Sequence, residues 1–286
     1  MPDTERHTPY TAIILAGERG PGDPLVEQTS ACCKAMVEID GTPMILRVLA
    51  ALGSAALIDH CLLSGPGKDK MAVESPVTRL IETGSVDWCE PQPTPSTSAY
   101  HAMQRVPATT PVLVTTADHP LLSAEIVDHF CSESLARGLD VTVGLAPYDL
   151  VKAAFPDMKK TVLRFRDGDY CGCNLFAFLT AEGRHMADYW RRVETQRKNP
   201  VRIIRILGWG AVIKYLLGRL TLQHALESLS RRLHLKLGAV ILPFAEAAVD
   251  IDSIADHDIV QKKLSQRAKS RGGHETSGKQ AVRSKK

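Results

Sequence analysis

The sequence predicts an α/β fold, with a mostly parallel central sheet between helical layers, as a three-layer sandwich. Three observations carry this. Apolar β-type runs alternate with helical patterns from residue 10 to residue 146, and such alternation pairs parallel strands through right-handed crossovers. The residues best suited to chemistry, Gly17 and Asp118, fall at the C-terminal ends of two of those runs, where ligands sit in such folds. The size, 286 residues with 44% hydrophobic and 23% charged content, fits one large domain or a domain with an insertion.

Taken in order, residues 10–16 read as the first strand. Residues 43–52 read as a helix with Pro43 in its first turn. A strand at 58–63, a helix at 70–83, a short strand at 86–89 and a helix at 96–106 follow. The run 111–117 (Pro-Val-Leu-Val-Thr-Thr-Ala) reads as a strong buried strand. Ser123 caps a helix at 123–137, with Glu125 and Asp128 in its early turns. Residues 140–146 are again strand.

From Tyr148 the rhythm changes. Strands at 161–166 and 174–179 flank an Arg166-Asp-Gly168 turn. Three helices follow, at 182–196, 201–217 and 221–233, and read as an insertion or cap (182–233) within a domain spanning 1–264. Strands at 238–242 and 248–251 and a helix at 254–264 close the pattern. No repeat of 20–50 residues stands out.

The net charge of +3 comes from the end of the chain. Residues 265–286 hold seven Lys/Arg and one Glu, while the remainder carries 28 basic and 31 acidic residues. The body is therefore slightly acidic, which argues against nucleic-acid binding. The tail is polar, Gly/Ser-bearing and without aromatics, and reads as a disordered, solubilising terminus. Seven cysteines form no even framework, and residues 1–8 contain no apolar segment. Both features point to free thiols in a reducing cytoplasm.

The segment 11–20 (Thr-Ala-Ile-Ile-Leu-Ala-Gly-Glu-Arg-Gly) runs from an apolar strand into a Gly-containing loop. Lys34 and a Gly41-Thr-Pro turn follow. Such a loop presents backbone N–H groups to phosphates, and the lysine adds a point charge. The pattern resembles the opening of nucleotidyltransferases of the molybdenum-cofactor guanylyltransferase type, whose signature is roughly Leu-Ala-Gly-Gly-x-Gly-x-Arg, a lysine, then Gly-x-Pro. Glu18 stands where that family usually has its second glycine, Arg19 comes early, and the interval to Lys34 is longer than usual. A carboxylate beside a triphosphate is repulsive, so Glu18 must point away or sit near a metal ion.

Asp118 ends the 111–117 strand in Asp118-His-Pro, a position that suits a Mg²⁺ ligand bridging protein and phosphate oxygens. It is similar to the family's Asp-x-Pro. Asp250 and Asp252 would share one face of the predicted 248–251 strand and repel each other without a cation. Their segment resembles the family's closing Asp/Asn-x-Asp/Asn-Thr/Ser. Asp252 is the first choice of metal ligand and Asp250 the second, although Asp252 or Ser253 also suits as a cap for the last helix.

The resemblance implies a Rossmann-like fold of the nucleotide-diphospho-sugar transferase type. It also implies a reaction in which an acceptor phosphate takes NMP from an NTP, GTP or CTP, with Mg²⁺ as cofactor and pyrophosphate as product. Lys34 and Asp118 become the catalytic pair. Leu15, Ala16, Gly17, Glu18, Arg19, Gly20 and Lys34 take the triphosphate. Ser96 and Ser98 either read the nucleobase or simply cap their helix. Lys160, Arg164 and Asn174 either hold a phosphorylated small-molecule acceptor or form a solvated hairpin.

The cap mixes arginines (191, 192, 197, 202, 205) with the apolar run around Trp209. Packing on the sheet is the default for such a stripe, and an anionic membrane surface or a homodimer interface are the other readings. Two further functions fit parts of the pattern. A glycosyltransferase would share the sheet but normally places Asp-x-Asp where this chain has Asp118-His-Pro. A non-catalytic nucleotide-binding or membrane-adaptor protein would explain Glu18 and the basic cap. Release of pyrophosphate, of nucleoside diphosphate, or of neither separates the three.

Overall fold

The computed structural model describes residues 9–18, 22–71, 75–194 and 209–266. Arg19 and Gly20, Arg197, Arg202 and Arg205, and the first half of the helix expected at 201–217 lie outside them.

The core is one eight-stranded sheet. β1 (Tyr10–Leu15), β4 (Ile58–Ser64), β5 (Asp87–Cys89) and β6 (Val112–Thr116) run parallel. β7 (Val141–Pro147) and β10 (Leu237–Ile241) are parallel to each other. β9 (Gly168–Phe178) runs antiparallel between β6 and β7, giving the order β10-β7-β9-β6-β1-β4-β5, with β8 (Leu163–Phe165) paired to β9. A separate ribbon joins β2 (Glu38–Ile39) and β3 (Thr42–Pro43). All six residues of β1 are buried, as a strand covered on both faces requires.

Each face has its own helical layer. Tyr10, Ala12 and Ile14 pack with α2 (Met44–Gly53) and α5 (Ala124–Ala136). The Tyr10 hydroxyl donates to the Cys131 carbonyl at 3.0 Å and locks strand to helix. Ile13, Leu15, Val112 and Val114 pack on the opposite face with α4 (Pro95–Met103) and with Ala187, Met186 and Trp190 of α7 (Ala181–Glu194). The first helix of the expected cap is thus part of a layer. Arg191 is engaged there, bonded to Asp188 at 2.6 Å and lying over the Tyr100 ring.

α8 (Trp209–Leu216) and α9 (Leu222–Leu233) join through Ala211, Leu220 and Ala225. Thr221 caps α9 by accepting from the His224 N–H. α3 (Pro76–Glu82) begins at its Ser75 cap, later than the expected residue 70. Two short helices went unexpected, α1 (Pro24–Thr29) and α6 (Tyr148–Ala154). The last helix, α10, covers 254–266.

Two differences from expectation shape the site. Residues 248–251 are not a strand: a 3-10 turn at Ala245–Ala248 leads into an unpaired stretch. Val249 and Ile251 bury into a cluster with Leu25, Phe155 and Val260, and no strand of the sheet pairs with them. A single bond, Ile251 N–H to the Asp118 carbonyl at 3.0 Å, ties this stretch to the tip of β6. The second difference is the length of β9, which begins at Gly168 and carries an irregularity. Val143 pairs Phe176 and Leu145 pairs Gly172, so residues 173–175 stand opposite Gly144 alone. Asn174, inside this bulge, has φ 48°, a left-handed conformation that asparagine tolerates better than most residues. Bulges re-aim side chains beside active sites.

Candidate active site

The end of β1 and the end of β6 lie side by side, joined beyond the strands by the Ala117 N–H to Leu15 carbonyl bond at 3.0 Å. Between them a small cleft of about 30 Å³ is lined by Leu15, Ala16, Gly17, Glu18, Lys34, Ala35, Ala117 and Asp118. The predicted triphosphate residues that are described thus share one wall. Gly65, at φ +92°, closes the back: a Cβ there would stand 2.8 Å from the Ala16 carbonyl oxygen. Glu18 is exposed on the rim.

Lys34 starts a 3-10 turn, Lys34–Met36. Its ammonium donates to Asp118 Oδ2 and to Asp252 Oδ1, both at 2.6 Å. Thr116 Oγ1 donates to the other oxygen of Asp118 at 2.5 Å. Burial by itself would raise the Asp118 carboxyl, but Lys34 and His119 outweigh it and hold its pKa below the usual carboxylate range. Burial would lower Lys34, and Asp118 with Asp252 overcomes that, so the lysine is held charged.

A second pair lies next to the first. Lys160 is ion-paired with Asp250. Asn174 Nδ2 donates to His119 Nε2 at 2.9 Å and reaches Asp250 Oδ2 at 3.5 Å. The Asn174 carbonyl oxygen accepts nothing from the described residues. His119 is fully buried, and its Nδ1 has no partner among the described residues. Desolvation lowers its pKa, with Asp118 and Asp250 pulling the other way. Burial would raise Asp250, and His119 and Lys160 outweigh it and lower it.

Asp118, Asp252, Lys34, Lys160, Asp250 and Asn174 therefore come together. Asp250 and Asp252 do so from a loop, each facing a different lysine, and not as two neighbours on one strand face. Arg164 is not drawn in: it is 70% exposed and pairs with Asp169 across the β8–β9 hairpin. Ser96 and Ser98 are buried and engaged within their own loop. Ser98 Oγ accepts from the Gln92 N–H at 2.8 Å, and Ser96 Oγ lies 3.2 Å from Thr94 Oγ1. The helix cap is Thr94, in a reciprocal pair with Thr97, and not Ser96. His119 was missed by sequence reasoning. Its signal was a histidine directly after a strand-tip aspartate, with a proline behind it.

No cluster of three or more His, Cys, Asp or Glu side chains suited to a metal occurs among the described residues. The donor set at Lys34 nonetheless suits a hard cation. Two carboxylate oxygens from separate elements converge on one positively charged point, and a divalent ion with water and phosphate oxygens takes such ligands.

The chain matches the MobA-like NTP transferase domain family over residues 12–164. It belongs to that family. The match includes most of β1, the Gly17 loop, Lys34 and Asp118 and stops before Asn174 and the 249–252 stretch. Among solved structures, a hypothetical transferase from Thermus thermophilus is 28% identical with a TM-score of 0.72, covering 87% of this chain and 99% of that one. A 4-diphosphocytidyl-2C-methyl-D-erythritol synthase from Anaerococcus prevotii is similar in fold at 14% identity and a TM-score of 0.53, covering 91% and 97%. A CMP:2-keto-3-deoxy-manno-octonic acid synthetase complexed with CTP has 12% identity and a TM-score of 0.53, covering 91% and 98%. No curated protein matches the sequence. The fold is the Rossmann-like one of nucleotidyltransferases.

Proposed function

We propose that this nucleotidyltransferase-family protein transfers NMP from GTP or CTP to a phosphorylated small-molecule acceptor and releases pyrophosphate. Residues 1–264 form the catalytic domain, with 182–233 as its accessory helices. The observation that carries the reading is the Lys34–Asp118–Asp252 corner beside the Gly17 cleft. CTP is the triphosphate favoured by fold similarity to the cytidylyl- and CMP-named neighbours.

Lys34 and the loop N–H groups of the cleft orient the triphosphate and neutralise its charge. Asp118 and Asp252 would hold Mg²⁺, which when bound supplies positive charge at the reacting phosphates. Lys160 turns from Asp250 to the acceptor phosphate, placing an oxygen in line with the α-phosphorus. The Asn174 carbonyl takes a hydroxyl of the acceptor, because both of its amide hydrogens have protein acceptors within reach. No residue forms a covalent intermediate; positioning and charge neutralisation do the chemistry.

A screen of triphosphates against phosphorylated acceptors, with pyrophosphate detection, tests this. Pyrophosphate formed only when both substrates are present supports it. Nucleoside diphosphate release from a nucleotide sugar would replace it with glycosyl transfer, and binding without turnover with a nucleotide-sensing role.

A further inference from the structure

Helix α8 is apolar on two opposite sides. Ala211 faces inward, packed with Leu220 and Ala225 against Phe165. Trp209, Ile213, Leu216 and Leu217 face outward and are 68%, 50%, 78% and 61% exposed. The spacing i, i+4, i+7, i+8 gathers these four on one stripe. A contiguous exposed patch of this kind marks an interaction surface, whereas single exposed apolar residues are ordinary.

We infer that this stripe docks the protein on an anionic phospholipid surface, with α8 lying in the plane of the interface. Three observations choose that occupant. Lys214 and Arg219 are exposed beside the stripe, and residues 209–236 hold five Lys/Arg against one Glu. The chain ahead of residue 265 is net acidic, so this local charge is a departure from the body. Tryptophan and leucine on one side with lysine and arginine alongside is the composition of an interfacial helix, which buries about 5–10 Å into the headgroup boundary. Finally, a second copy is a poorer fit. A stable dimer buries on the order of 800 Å² per partner through roughly 20 residues a side, and four side chains on a two-turn helix fall short of that. No helix among the described residues is long and apolar enough to cross a membrane, so the contact lies on the surface. Arg191, already committed to Asp188 and Tyr100, takes no part.

The test uses the full chain and two vesicle types, phosphatidylcholine alone and phosphatidylcholine mixed with phosphatidylglycerol, in sedimentation at low and high salt. The parent protein binds the phosphatidylglycerol vesicles, and binding weakens with salt because exposed charges are screened. Leu216→Ser combined with Leu217→Ser lowers the partition coefficient about tenfold or more, since two of the four inserted side chains become polar. Both positions are exposed, so the variant keeps the parent's melting temperature. Three results would each overturn the inference. The parent fails to bind at low salt; the double variant binds as well as the parent, which assigns binding to the basic residues after 266; or gel filtration shows a dimer that the double variant loses while vesicles capture neither protein.

Discussion

The two lysine–carboxylate pairs of the site are neighbours built by different means. The Lys34–Asp118–Asp252 corner has Asp118 just past the tip of buried β6, Lys34 in a 3-10 turn and Asp252 in a loop, and none of the three residues needs a left-handed backbone. The Lys160–Asp250 corner leans on a β-bulge, on Asn174 in a left-handed conformation, and on a buried histidine. The first holds charge at a fixed point. The second orients one amide through His119 and Asp250, a buried polar network of the kind that fixes side-chain direction. Under the proposed function, rate belongs to the first corner and acceptor choice to the second.

Substitutions at the two corners should therefore separate. Asp118→Asn is expected to lower kcat about 10²-fold or more, the scale for loss of a strong electrostatic stabiliser, with acceptor KM little changed. Steady-state kinetics on a variant with wild-type circular dichroism checks this, and equal damage to acceptor KM would erase the division between corners. Lys34→Ala removes the cation between Asp118 and Asp252. It should weaken triphosphate binding in calorimetry and lower stability by about 1–2 kcal/mol, less than for a fully buried pair. Added Mg²⁺ should restore more of the melting temperature in this variant than in the wild type. Unchanged triphosphate affinity would make the lysine purely structural.

Asn174→Ala is expected to raise acceptor KM about tenfold, the worth of roughly one hydrogen bond, while triphosphate affinity stays put. A loss confined to kcat would move Asn174 to the other corner. The smallest effect concerns pH. The His119 pKa is lowered in the folded state, so below about pH 6.5 the unfolded chain binds more protons and stability falls as pH falls. The contribution is at most about 1.4 kcal/mol per pH unit. Urea titrations between pH 7 and 5 should show a shallower slope for His119→Gln than for the wild type, and identical slopes would place the ring in a more polar setting than the structure shows.

What was legible in the sequence follows the same division. β1 and β6 are mostly apolar runs without regular apolar–polar alternation, and a strand buried on both faces leaves that mark. Ser123 and Thr221 announced their helices because an N-cap is a local interaction. Lys34 and Asp118 were readable because each directly follows a loop or strand of that kind. The stretch 248–251 alternates like a strand, and Val249 and Ile251 do bury together, but no strand of the sheet lies beside it to form a ladder, and pairing partners are not written in a local pattern. The pairing of His119 with Asn174 spans 55 residues and depends on a bulge, which single-sequence periodicity does not encode. The six-residue α1, set by Asp23 and Pro24, is too short to show a helical period.

The central claim is that the Lys34–Asp118–Asp252 corner directs attack at the α-phosphorus. The fate of labelled phosphate tests it most directly. With triphosphate labelled in turn at the α and γ positions, and the acceptor found by screening, the account predicts α-label in the acceptor product and γ-label in pyrophosphate, both abolished by Asp118→Asn. Label appearing as inorganic phosphate with nucleoside diphosphate, or undiminished transfer by a folded Asp118→Asn protein, would contradict it.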